Sequence, residues 1–333
     1  MQNIQELAAR LTLGKPQTLH NLTIVPLAAP SGPAPRFEVL GDALRAGTAQ
    51  INELSAAGSV PTIKLTNRGS KPVLLLDGEE LLGCKQNRIV NLTILAPALE
   101  ELLLPVSCVE MGRWSSVSYG FSESRQTLYA ALRARKMESV TESIRFSRGR
   151  SANQSEIWDA IAEKSARMGA HSRSSAMSDM YEARRHDIDD YLGQLKVSPD
   201  QVGAAFFVNG NCLGLETFES HAACAHYLPK IAAGYAVDAI EDQRDTSRPA
   251  SLEQVHELLS QIASCNAEVA PGVGLGNDIR LTDQHVFGAA LEWQGSVIHL
   301  CGFARNPQAN IDTSDRLRMT RSVIRRNLRR GIQ

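Results

Sequence analysis

Residues 77–114 read DGEELLGCKQNRIVNLTILAPALEELLLPVSCVEMGRW. Together with 73–76, the apolar runs at 89–95 and 102–109 look like buried strands, and the connections between such strands should be plain polar turns. These connections instead carry Glu79, Glu80, Lys85, Gln86, Asn87, Arg88, Cys108, Glu110, Arg113 and Trp114. Carboxylates, cations, a thiol and an indole crowded between strands are the mixture a ligand or reaction site uses. The stretch is therefore expected to be the functional centre.

Working outward, Asp77-Gly78 between LLL and EELL predicts a tight primed hairpin turn, because such a turn wants positive φ at its central residues. Glu79 and Glu80 would open the return strand and point to opposite faces. Residues 88–95 are expected as one strand, stopped by Pro97. Further strand signals at 18–27, 49–53 and 60–66 suggest a β-sandwich or open barrel for the N-terminal third. A short amphipathic helix at 3–11 and another ending at Gly47 flank it.

Residues 124–145, rich in Arg, Lys, Glu and Ala, predict a solvated helix. A second helix runs from an N-cap at Ser155 to Gly169, and a third carries Met177, Tyr181, Ile188, Leu192 and Leu195. Runs at 202–208 and 212–218 around Asn209-Gly210 read as a hairpin. Helices follow at 219–240 and 251–265, then strands at 279–282, 286–293 and 296–303 with Gln294-Gly295 as the last turn. The expected class is α+β: a β-rich part at 15–120 carrying the polar motif, a helical segment at 121–200, an α+β part at 201–303 and a basic tail at 304–333.

With 333 residues, 43% of them hydrophobic, the chain can bury a real core as one large domain or two ordinary ones. Thirty-five basic residues against thirty-six acidic ones leave a net charge of −1, which excludes a body-wide electrostatic attraction to nucleic acid or acidic lipid. The N-terminus lacks the features of a signal peptide, and no window approaches the roughly 18 apolar residues of a membrane span. The expectation is a soluble cytoplasmic chain with no membrane partner. Six scattered cysteines without a CxxC pair suit reduced thiols. Residues 305–330 differ from the rest: eight arginines against Asp312 and Asp315 give a local +6, with Leu317, Ile324 and Leu328 on one helical face. Such an appendage suits nucleic acid or an acidic partner, and its binding would depend strongly on salt.

Within the motif, carboxylates beside cations can have their pKa values pushed apart, so that one serves as a base. The forks of Arg88 and Arg113 suit phosphate oxygens, and Trp114 can stack on a base. The structural alternative is a set of ion pairs that fastens β-loops. Cys108 follows an apolar strand and reads as a nucleophile or, more commonly, as a core thiol; no histidine lies within 77–114 to complete a Cys-His pair. His221, Cys224 and His226 cannot converge on a metal from one regular helix. PGVGLGND at 271–278 lacks the spacing and the following helix of a nucleotide-binding glycine loop.

Taken together, VPTIKLTNRGSKPVLLLDGEELLGCKQNRIVNLTILAP, LPVSCVEMGRW, SEIWDAIAEK, QVGAAFFVNGNCLGLETF and GVGLGNDIRL resemble a bacterial family, the ARG and rhodanese-phosphatase-superfamily-associated protein domain, over residues 15–303. The family motif maps onto Gly78, Glu79, Glu80, Gly83, Lys85, Gln86, Asn87 and Arg88, and onto Ser107, Cys108, Glu110, Arg113 and Trp114. Cys84 stands where a small residue such as alanine is expected, and the basic tail lies outside the resemblance. The family's name implies association with ADP-ribosylglycohydrolase-type and rhodanese-phosphatase-type enzymes, and hence the handling of ADP-ribose, NAD derivatives or RNA ends.

The resulting expectation is a site for an ADP-ribose-like, NAD-derived or other phosphorylated nucleotide or sugar ligand. Glu79, Glu80, Lys85, Cys108 and Glu110 would be the reacting groups, and Gln86, Asn87, Arg88, Ser107, Arg113 and Trp114 the ligand contacts. As an enzyme the chain would be a hydrolase or transferase acting on a nucleotide-sugar or phosphoester. A divalent metal on the carboxylates is a further reading, with no ligand set assigned. The rival is a non-catalytic interaction module whose tail recruits nucleic acid or an acidic partner.

Overall fold

The computed structural model describes residues 1–30, 36–243 and 248–305. The basic tail, apart from Arg305, lies outside the described residues. Helix α1 (Gln2–Arg10) precedes β1 (Thr12–Leu13), β2 (Gln17–Leu19) and β3 (Leu22–Ala28). Next come β4 (Glu38–Val39), α2 (Leu40–Arg45), β5 (Ala49–Glu53), β6 (Thr62–Asn67), β7 (Val73–Leu75) and β8 (Glu79–Gly83). They are followed by β9 (Arg88–Val90), β10 (Ile94–Ala96), β11 (Glu101–Cys108) and β12 (Phe121–Thr127). Helices α3 (Ala130–Arg145), α4 (Gln154–Arg167), α5 (Met177–Ala183) and α6 (Arg185–Leu192) lead to β13 (Gln201–Val208) and β14 (Asn211–Phe218). The last elements are α7 (His221–Glu241), α8 (Leu252–Ser264), β15 (Asn266–Pro271), β16 (Asn277–Thr282), β17 (Val286–Trp293) and β18 (Ser296–Ala304).

The class is α+β. A large antiparallel sheet runs β1-β3-β13-β14-β18-β17-β16-β15, with β2 also on β3. One of its faces packs on α7 through Phe206, Tyr227, Ile231 and Tyr235, and the other on α1 and α8 through Ile4, Val255 and Ile262. Alternation of side chains along each strand gives the two faces their separate cores. A six-stranded sheet, β12-β8-β9-β11-β6-β5, curls into a half-barrel around Ile51, Ile63, Leu65, Leu81, Val90, Leu104, Val106 and Phe121. Its two edges approach each other where Asn52 Nδ2 donates to Tyr119 O at 3.0 Å. Strands β10, β7 and β4 form a small third sheet.

Several local expectations need correcting. Asp77-Gly78 is a turn, closed by Glu79 N–H to Leu76 O at 3.0 Å, but only Gly78 has positive φ, +75°. That is a type II pattern, which does not match hairpin twist. Accordingly β7 and β8 enter different sheets. Residues 88–95 are likewise two strands, interrupted at Asn91, that change sheets. The stretch 124–145 begins as β12, and α3 is not fully solvated: Arg133 and Lys136 are buried. The third helix breaks at Arg184 into α5 and α6, and the N-cap of α4 is Asn153 rather than Ser155. Strand β3 from the N-terminal third pairs with β13 in the large sheet.

Candidate functional site

Arg88 and Cys108 are register partners on β9 and β11 and share the parity of Val90 and Val106, which line the half-barrel. Glu53 stands two residues beyond Ile51 on β5, on the same parity. The motif loops 84–87 and 109–118 follow β8 and β11 at this end of the half-barrel and are joined by Val117 N–H to Cys84 O at 3.1 Å and Cys84 N–H to Ser118 Oγ at 2.8 Å. Mouths of β-barrels are common ligand sites because side chains from several strands converge there.

The loops are locked to each other by Glu110 and Arg113. Glu110 Oε1 accepts from Arg113 Nε and from Ser174 Oγ, both at 2.8 Å, while Oε2 accepts from Arg113 Nη2 at 2.5 Å and from Asn87 N–H at 3.0 Å. Arg113 Nη1 donates to Cys84 O at 2.5 Å and Ser115 O at 3.0 Å, and Nη2 also donates to Asn87 Oδ1 at 3.2 Å. All five guanidinium donors are thus engaged within the protein. Burial would raise the Glu110 carboxyl, yet the bonds from Arg113, Ser174 and Asn87 hold it below its ordinary range. Asn87 Nδ2 donates to Ser178 Oγ at 3.2 Å and Met177 N–H to Val109 O at 2.9 Å, so the start of α5 is fastened to the same clasp. Gln86 Nε2 donates to Glu110 O at 2.8 Å.

Arg88 is different. Its side chain is fully buried, Nη1 donates to Gln86 Oε1 at 3.1 Å and to Asn87 O at 3.5 Å, and Nη2 donates to Ser59 O at 3.5 Å. Its Nε has no hydrogen-bond partner, and no carboxylate among the described residues forms an ion pair with it. Burial draws its pKa down. Above it, the Trp114 ring, 46% exposed, lies 5.8 Å from the Arg88 guanidinium carbon and 5.4 Å from Lys85 Nζ. Gly58, at φ +79°, makes room for both, since a Cβ there would stand 2.7 Å from Lys85 Cδ and 3.2 Å from Trp114 Cζ2. Glu53 Oε1 accepts the Lys85 N–H at 3.3 Å, whereas the buried Oε2 has no partner.

The remaining candidates lie elsewhere. Cys108 Sγ bonds to Glu110 O at 3.2 Å, and burial pushes its thiol up, the opposite of nucleophile activation. Ser107 Oγ donates to Asn91 Oδ1 at 2.7 Å on the other face of β11. Glu79 pairs with Lys230 of α7 at 3.0 Å and accepts Leu76 N–H at 3.0 Å. Glu80 turns the opposite way, accepting from Ser124 Oγ and Gln126 Nε2, both at 2.8 Å. Burial pushes the Glu80 carboxyl up to about 7. Neither residue bonds to the Glu110–Arg113 clasp.

Among the described residues, two sets hold metal-ligand atoms within 4.8 Å of one another: Glu79, Glu123 and His226, and Glu216, His299 and Cys301. In the first, the Lys230 ammonium sits between the two carboxylates, where a cation would go. Burial works against the Glu123 charge, but His226 and Lys230 bring its pKa to about 2. The second set is sealed in the core, where Arg133 joins Glu216 to Asp77 and Lys136 completes the network. His299 Nε2 lies 2.7 Å from Glu216 Oε2 and Nδ1 2.9 Å from Thr93 Oγ1. His221 and His226 bond to Gln201 O and Glu123, respectively, and do not converge. A hollow of about 340 Å³ at His20, Arg184, Asp187, Asp190, Tyr191 and Gln243 shares no residue with the motif.

Sequence reasoning passed over Glu53, Ser174 and Ser178. Glu53 left a trace, a carboxylate on the apolar parity of Ala49 and Ile51; the serines left none. No helix among the described residues is long and apolar enough to cross a membrane. Neither a curated protein nor a solved structure matches the chain. A family model matches residues 10–303 and spans the half-barrel, its mouth and the large sheet, so the chain belongs to the family of the ARG and Rhodanese-Phosphatase-superfamily-associated Protein domain.

Proposed function

We propose that the mouth of the half-barrel recognises a small phosphorylated ligand of nucleotide or sugar type, with ADP-ribose as the first example to test. The observation that carries this reading is Arg88, a buried guanidinium that forms no ion pair with a carboxylate among the described residues and whose Nε is unbonded there. A buried cation lacking its counter-ion is costly, and an anionic ligand supplies one. Lys85 adds a second cation, and the half-exposed Trp114 offers a face for stacking. The Glu110–Arg113 clasp holds the loops that carry these groups and leaves Arg113 no free donor.

Calorimetric titration of the purified protein with ADP-ribose, AMP and ribose 5-phosphate tests the reading. Binding is expected, with Lys85→Ala and Trp114→Ala each weakening it about tenfold, the scale of one exposed cation or stacking contact. Absence of heat with all three ligands, or variants that bind as wild type, would overturn it. Chromatography of the ligand after incubation separates recognition alone from turnover by a hydrolase or transferase.

A second reading is favoured by the apolar side chains around the same mouth: Met111, Trp114, Val117, Tyr119 and Leu54 are all exposed. In that reading the clasp is structural and the chain is an interaction module helped by its basic tail. Deleting residues 305–333 decides: binding of nucleic acid that vanishes with the tail, while Lys85→Ala and Trp114→Ala bind as wild type, favours the module.

A further inference from the structure

We infer that the turn between α3 and α4, together with the chain beyond Arg305, forms a docking surface for single-stranded nucleic acid, with Phe146 as the platform on which a base stacks. The surface shares no residue with the mouth of the half-barrel and goes beyond the small-ligand reading. Helix α3 stops at Phe146, where Ser147 N–H donates to Ile144 O at 3.0 Å and Arg148 N–H to Ser143 O at 2.8 Å, with Ser147 at φ +54°. In this Schellman ending the residue after the left-handed one is frequently apolar and packs back on the helix. Here it is Arg148, whose guanidinium carbon lies 5.3 Å from the centre of the Phe146 ring, itself 66% exposed. The flanking arginines are tied down. Arg145 Nε donates to Glu268 Oε1 at 2.7 Å, and Arg150 Nη2 donates to Pro271 O while its carbonyl accepts from Asn91 Nδ2 at 2.9 Å. Arg148 makes no ion pair among the described residues. The turn thus presents an aromatic ring and an unpaired guanidinium on an anchored base.

The described residues end beside this turn. Arg305 Nη1 pairs with Glu138 Oε1 at 2.6 Å, and its Nε donates to Asp283 O at 3.0 Å. The chain therefore leaves the body against α3, eight helical positions or about 12 Å before Phe146. Residues 306–333 carry seven arginines, two aspartates and no lysine. The remainder of the chain is net acidic, so a polyanion gains nothing by spreading over it and is held at this end. Arginine in place of lysine throughout suits a partner that offers both phosphates to fork onto and flat faces to stack on. An anionic bilayer would be served equally well by lysine. A single strand meets the whole arrangement: a base on the Phe146 ring, phosphates on Arg148 and on the arginines that follow. A duplex keeps its bases stacked on one another and has no face to give.

Fluorescence anisotropy of the full chain with dye-labelled 12-nucleotide oligouridylate and oligothymidylate, and with an RNA duplex of the same length, tests the surface. Phe146→Ala should weaken single-strand binding about tenfold or more without altering its salt dependence, because no charge is lost, and Phe146→Trp should bind as wild type. Duplex binding should not respond to Phe146→Ala. Arg148→Ala should flatten the slope of log affinity against log salt by about 0.7, and Arg325→Ser, Arg326→Ser, Arg329→Ser and Arg330→Ser combined by about 3. No binding of either oligonucleotide, or a Phe146→Ala variant that binds as wild type, overturns the assignment. So do an equal loss on the duplex, a salt slope untouched by the arginine variants, and binding to phosphatidylserine vesicles in place of the oligonucleotides. The tighter of the two oligonucleotides shows whether RNA or DNA is the partner. Melting curves that match wild type confirm that these exposed substitutions leave the protein folded.

Discussion

Glu79 and Glu80 are neighbours in sequence, yet Glu79 is bonded to Lys230 on α7 while Glu80 is bonded to Ser124 and Gln126 on β12. Among the described residues the first carboxylate has a cation and the second has none. Strand alternation puts them on opposite faces, and their different partners follow from that.

Glu80 makes stability depend on pH. Its carboxyl is pushed from 4.5 to about 7 by burial, which its two hydrogen bonds only partly offset. A raised carboxyl pKa means the native state keeps its proton while the unfolded state loses it. This contribution is fully present below pH 4.5 and is lost as pH rises through about 7. Glu80→Gln should therefore match wild type near pH 4 and exceed it by up to ~3 kcal/mol at pH 8.5. Urea denaturation at the two pH values checks this; equal stability at pH 8.5 would mean that the carboxyl is solvated.

The clasp should not tolerate a simple cation in place of its fork. Arg113→Lys removes the planar set of donors shared by Glu110, Asn87, Cys84 and Ser115, and should cost ~2–4 kcal/mol, much like Arg113→Ala. Limited proteolysis should then cut within residues 109–118. A lysine variant as stable and as protease-resistant as wild type would show that charge alone suffices.

Much of the fold was legible before the structure, for reasons that are local. Asn209-Gly210 and Gln294-Gly295 both have positive φ at two successive residues and turn true hairpins. Strand β12 was hidden because SESRQT has no apolar alternation; its buried positions, Ser124, Gln126 and Thr127, are all polar, and the first two bond to Glu80. Helix α3 read as solvated because Arg133 and Lys136 find their counter-charges at Asp77 and Glu216, 56 to 83 residues away in sequence. Of the candidate site, Gln86, Asn87, Arg88, Glu110 and Arg113 were readable as one group, since two adjacent loops carry them. The orphaned atoms at Arg88 and Glu53 were not, because burial and missing partners are tertiary properties.

The core network offers a test of buried charge. Burial would raise the Asp77 carboxyl, but Lys136 and Arg133 hold it below its ordinary value. Lys136→Met leaves that carboxylate short of one cation and should cost ~3–5 kcal/mol. Adding Asp77→Asn to Lys136→Met should recover part of the loss; a fully additive double mutant in thermal or urea melts would deny the coupling.

Gly78 sits at φ +75°, and a Cβ there would come within 2.9 Å of Arg133 Cδ. Gly78→Ala should destabilise by ~1–3 kcal/mol through backbone strain and displacement of Arg133. An alanine variant that melts like wild type would show that the turn can relax.

The last strand among the described residues, β18, lies between β14 and β17 rather than at an edge. On a ribosome this means the large sheet has to wait for its own middle. β3, β13 and β14 can associate early, but their open border at β14 stays bare until residues 296–304 emerge. A nascent chain halted before that point carries an exposed template for pairing with other chains, so yield in cells should respond to chaperone supply more sharply than the melting temperature of the finished protein would suggest.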